Sequence, residues 1–133
     1  MKILIVLTLI FSTNLYAEDF YLAAGAGVQE DSITEQDLRR VFLGRKTSWD
    51  DGSAIRTCML DDQVMKEEFF NQIDSNADAF ERNWARMVFS GRAIPPATQR
   101  DEASLTEFLR KNPKGLCITT VKPANNELQL VDG

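Results

Sequence analysis

Three pairs of identical carboxylates stand side by side in this sequence: Asp50-Asp51, Asp61-Asp62 and Glu67-Glu68. Two carboxyl groups set at the right distance do general acid–base work. Adjacent residues on a helix point in different directions, however. Turn and helix-cap roles account for the two Asp pairs. Arg82 and Arg86 stand four apart on one expected helix face and could grip an anion together; a solvated face is the plainer reading. Gly25-x-Gly27 lacks the third glycine of a phosphate loop and reads as a tightly packed strand end. The chain has no histidine. That removes the commonest general base and metal ligand, so a Ser-His or Cys-His pair is impossible and no zinc site is expected. The chemistry present points away from an enzyme, and no cofactor, metal or catalytic residue is expected.

The two cysteines, Cys58 and Cys117, lie in β-like runs, Ile55–Leu60 and Leu116–Val121. Two readings stay open. The pair bridges neighbouring strands, closing a loop worth roughly 4 kcal/mol by chain entropy, or both are buried thiols acting as small apolar groups.

The elements that must position these residues follow from punctuation and spacing. Of 133 residues, the first 17 have the layout of a secretory signal peptide: Met1-Lys2, an apolar run from Ile3 to Phe11, then Leu15-Tyr16-Ala17. The run is short of the roughly 20 residues a membrane span needs. Export to a periplasm of the Gram-negative type is expected, with residues 18–133 as one domain and no stable membrane insertion after cleavage. Losing Lys2 takes the net charge of −5 one unit further down. Such a balance argues against nucleic acid, whose binding rests on neutralising phosphates, and against an anionic membrane surface.

Phe20–Val28 reads as a first strand. Thr34 caps a helix, with Asp37 at the third helical position and Ile33 and Leu38 as its hydrophobic staple. Leu38, Val41 and Phe42 face a core, and the helix stops at Gly44. Trp49 follows as an anchor or a contact residue, and Asp51-Gly52 turns the chain. Asp61-Asp62 caps a second helix with Met65, Phe69 and Ile73 in one stripe. Ser75 opens a third, with Ala77, Phe80, Trp84, Met87 and Val88 on one face, ended by Gly91. Pro95-Pro96 is extended. A shorter helix covers Asp101–Lys111 and stops at Asn112-Pro113. Gly115 starts the Cys117 strand, Asn125-Asn126 turns, and Leu128, Leu130 and Val131 mark a last strand. The order β-α-β-α-α-α-β-β predicts one α/β domain, a small mixed sheet flanked by about four helices.

Phe42-Leu43-Gly44-Arg45-Lys46, then Trp49 and Asp51-Gly52-Ser53, resemble the helix-end signature of the phosphate-binding proteins of ABC transporters. The chain looks most like their small single-lobe relatives. Phe69, Trp84, Phe89-Ser90-Gly91, Pro95-Pro96, Asn112-Pro113-x-Gly115 and Val131-Asp132-Gly133 continue the likeness. Phe42, Leu43, Gly44, Trp49, Gly52, Trp84, Gly91 and Gly115 carry it. The resemblance implies one lobe of a periplasmic-binding-protein-like fold, where two-lobed members trap phosphate between lobes. It also implies a Ser-Gly-Thr segment where this chain has Asp61-Asp62-Gln63-Val64, and a Gly-Tyr pair where it has Leu116-Cys117-Ile118-Thr119. No ligand residue of the family transfers. The expectation is a secreted, non-enzymatic binding module that has lost the phosphate site and works through a protein partner in the periplasm. The alternative is a phosphate or oxyanion binder linked to ABC-type uptake or sensing.

Overall fold

The computed structural model describes residues 20–132; the leader expected over 1–17 lies outside them, as does Gly133. In chain order the elements are β1 (Tyr21–Ala24), β2 (Ser32–Thr34), α1 (Glu35–Phe42), β3 (Thr57–Leu60), α2 (Gln63–Gln72), α3 (Ala77–Ser90), β4 (Ala97–Gln99), α4 (Glu102–Lys111), β5 (Leu116–Thr119) and β6 (Glu127–Val131). The six strands form one sheet in the order β2-β6-β1-β5-β3-β4. Strand β1 runs antiparallel to both neighbours, and every other pairing is parallel. Five strands therefore end at one rim, the carboxyl rim, and begin at the other, the amino rim.

Strands β3 and β5 are buried at every position, as strands covered on both faces are. Leu22 faces Ile118 on one side and Leu128 on the other, which puts β1 at the centre of the core. Helix α4 lies against β3, β4 and β5, and α2 lies against α3. Phe69 stacks edge-on against Phe20 and Phe42, with ring centres 5.6 and 5.0 Å apart. Leu38, Val41 and Phe42 of α1, the Met65-Phe69-Ile73 stripe and Leu105 of α4 are all buried. The helical spacing in the sequence named these positions. Cys58 and Cys117 are direct partners across β3 and β5, with their sulfurs 2.05 Å apart, at disulfide distance.

Strand β1 stops at Ala24, short of the expected Val28, and four further features differ from the sequence expectation. Strands β2 and β4 have only three residues each, too few for alternation to show. Asn76, not Ser75, caps α3, accepting from the Ala79 backbone N–H at 2.9 Å. Asp74 takes φ +57°, and that bend carries the chain past Ser75 before the helix begins. Ala77 and Val88 are exposed; α3 buries only Asn83 and Trp84 fully, because it lies along the edge of the core. The Asp37 carboxylate does not complete a capping box but turns to Arg40 at 3.1 Å and Lys46 at 3.8 Å.

Candidate functional site

The amino rim gathers most of the residues that the signature singled out. Helix α1 ends with carbonyls that have no partner inside the helix. Two side chains of α3 reach them: Trp84 Nε1 donates to the Phe42 carbonyl at 2.9 Å and Asn83 Nδ2 to the Leu43 carbonyl at 3.0 Å. Gly44 follows at φ +80°, where a Cβ would stand 2.8 Å from the Trp84 ring. A side chain there would meet both left-handed strain and a collision. Phe42, Leu43, Gly44 and Trp84 are thus one joint. Asn83 belongs to it and went unnoticed in the sequence; its signal was a lone amide beside Trp84 on an otherwise apolar helix face.

The second joint holds the loop into β3. Trp49 is buried, and its Nε1 donates to the Lys114 carbonyl at 2.8 Å. Gly52 closes the turn with its N–H on the Trp49 carbonyl at 2.9 Å. Lys114 Nζ donates to Asp51 at 2.7 Å, and the Ser53 N–H and hydroxyl donate to the same carboxyl group. These bonds hold the Asp51 carboxyl far below the usual carboxylate range, the one from Lys114 most strongly. Gly115 fits against the carbonyls of Asn112 and Arg56. At Gly25 a Cβ would come 2.4 Å from the Pro113 carbonyl oxygen, and Gly27 donates to that carbonyl at 2.8 Å. Gly25-x-Gly27 is therefore a packed strand end with backbone where a phosphate would need to sit. Gly91 ends α3 apart from both joints.

The carboxyl rim is where open α/β sheets hold ligands, outside the strand ends and at helix N-termini. Tyr21, Thr119, Leu60 and Gln99 mark it, neighbours by register. Three helices start there, and each is closed by its own cap. Thr34 accepts from the Asp37 N–H at 3.0 Å, Asp62 from Met65 at 2.9 Å and Asp101 from Ser104 at 2.9 Å. The Ser104 backbone bond pulls the Asp101 carboxyl below its usual range. Two of the three caps carry negative charge, and Glu35 and Glu102 follow at the first helical positions. Asp61 pairs with Lys66 at 3.0 Å, and Thr119 donates its hydroxyl to Glu102 at 2.5 Å. Of the charged pairs, Asp61 and Asp62 do capping and pairing work, as expected, and Glu67-Glu68 lies exposed on α2. Arg82 and Arg86 are exposed on α3. Among the described residues no three His, Cys, Asp or Glu side chains come together as a metal site.

A mixed sheet wrapped by helices, with helix N-termini gathered at one rim, is the arrangement of a periplasmic-binding-protein-type lobe. Among solved structures the chain is similar to a Clostridium perfringens protein assigned as a phosphate ABC transporter substrate-binding protein, whose crystal structure contains bound phosphate. The TM-score is 0.63 at 8% identity, over 84% of this chain and 44% of that one. The chain thus spans less than half the length of that neighbour, and the likeness is one of fold. No family model and no curated protein matches the sequence. The described residues include no helix long and apolar enough to cross a membrane.

Proposed function

We propose that the chain is a secreted, non-enzymatic binding module built on a periplasmic-binding-protein-like lobe, with the phosphate site lost and its work done through protein contacts. One observation carries this reading. Every helix N-terminus at the carboxyl rim has a backbone donor taken by the chain's own cap, and Asp62 and Asp101 put carboxylates where an anion would bind. A helix N-terminus attracts an anion through free N–H groups and the dipole; a resident carboxylate uses both. Export through the leader at 1–17 fits a cysteine pair at disulfide distance, since such bridges persist in oxidising compartments.

Calorimetric titration with phosphate and sulfate tests the reading. No heat at millimolar ligand is expected. Saturable heat at lower concentration would overturn it. It would favour the second reading, an oxyanion-binding component of phosphate uptake or sensing, supported by the phosphate bound to the structural neighbour.

A further inference from the structure

Between Trp84 and Arg100 the chain carries Arg86, Arg92 and Arg100 and not one carboxylate, although acidic residues outnumber basic ones 20 to 15 overall. The same stretch exposes large apolar side chains: Val88 at 52%, Phe89 at 94% and Ile94 at 62%. Arg82, Arg86 and Phe89 follow one another at helical spacing along the outward side of α3. Beside its last turn lies a groove of about 240 Å³, between the link from α3 to β4 and the loop entering β3. Lys46, Arg56 and Arg92 supply its charge, Ile55, Ile94 and Trp84 its apolar walls, and no carboxylate lines it. Lys46 stands 3.8 Å from Asp37 and 4.0 Å from Asp50. Among the described residues, Arg56 and Arg92 have no carboxylate within ion-pair distance.

We infer that this groove and the adjoining face of α3 dock an acidic segment of a partner protein that also presents an apolar side chain. The inference rests on the protein-contact reading above and names its surface. Arginine forks match carboxylates in two-point contacts, which sets the sign of the occupant. A free oxyanion would leave Val88, Phe89 and Ile94 uncovered. A flat bilayer surface would not enter a groove whose cations line its walls. An exposed aromatic, Phe89, on the same helix face as Arg82 and Arg86 is the composition of an interface centre.

Short random peptides displayed on phage and selected against the full chain test this. The enriched sequences should be rich in Asp and Glu and carry an aromatic or aliphatic residue. Binding of a synthesised winner should fall on the order of tenfold in the Arg56→Glu/Arg92→Glu variant and in Phe89→Ala. All three side chains are exposed, so both variants should keep the circular dichroism and melting temperature of the parent. Neutral or basic winners would overturn the inference. Acidic winners that bind both variants unchanged would remove this surface and leave the protein-contact reading standing. No enrichment, or association only with phosphatidylglycerol vesicles, would remove both.

Discussion

The two rims of the sheet are closed by different means. At the amino rim, large rings and backbone do the work. Trp84 and Asn83 cap α1 from another helix, 42 and 40 residues away in sequence, and Trp49 reaches 65 residues to Lys114. Glycine is required where a Cβ would collide. At the carboxyl rim each helix is capped by its own residue, three positions from the N–H it satisfies. Long-range joints change only in concert, because one altered member strands its partner. A local cap changes alone, at a cost of about 1 kcal/mol. Substitutions at the amino rim should therefore cost more than substitutions at the carboxyl rim.

The largest effect expected comes from the link between β3 and β5. Replacing both Cys58 and Cys117 with Ala should cost roughly 4 kcal/mol, the entropy of a loop with sequence separation 59. Urea unfolding reads it, and an unchanged midpoint under reducing and oxidising conditions would show that the pair is not bridged. Next is the amino rim. Gly44→Ala should cost about 2 kcal/mol from left-handed strain, with Trp84 pushed off its place. The carboxyl rim should be softer: Asp62→Ala costs about 1 kcal/mol and Asp62→Ser only a few tenths. If Asp62→Ala proved more damaging than Gly44→Ala, the contrast between the rims would fail.

The sequence made the same rims legible to different degrees. Helices α1, α2 and α4 were readable because cap, stripe and stop agree: Thr34, Asp62 and Asp101 at the start, Leu38, Met65 and Leu105 inward. Trp49 and the helix end at Leu43-Gly44 were visible as an anchor and a stop, but the Trp49 acceptor and the Leu43 donor were not. The Lys114 carbonyl and Asn83 come into range only when the chain closes on itself, and no local pattern reports that. Strands β2 and β4 were missed because three residues show no period. Asn76 was missed because Ser, Asn and Asp all cap well, and the bend at Asp74 chose among them. The cationic groove joins residues 46 and 56 of one loop to residue 92 of another, so composition showed only its cations, without their meeting place.

The smallest expected effect tests whether the second joint at the amino rim is electrostatic as well as aromatic. Asp51 is bonded by Lys114 and Ser53, and its carboxyl is held far below the usual range. A carboxyl depressed on folding adds stability that is full above its unfolded pKa, about 3.9. That stability is lost as the pH falls toward the folded value. Asp51→Asn should therefore flatten the acid limb of the stability curve below about pH 4 by lowering stability at neutral pH and not in strong acid, and the loss should be small because the pair is exposed and screened by salt. Asp101, held down by the Ser104 N–H at the opposite rim, should keep part of that limb in the variant. Carboxyl chemical shifts followed by NMR separate the two: Lys114→Ala should return Asp51 toward its ordinary value and leave Asp101 unmoved. A joint shift of both would mean that the rims are coupled through the sheet, and the contrast between them could not then stand.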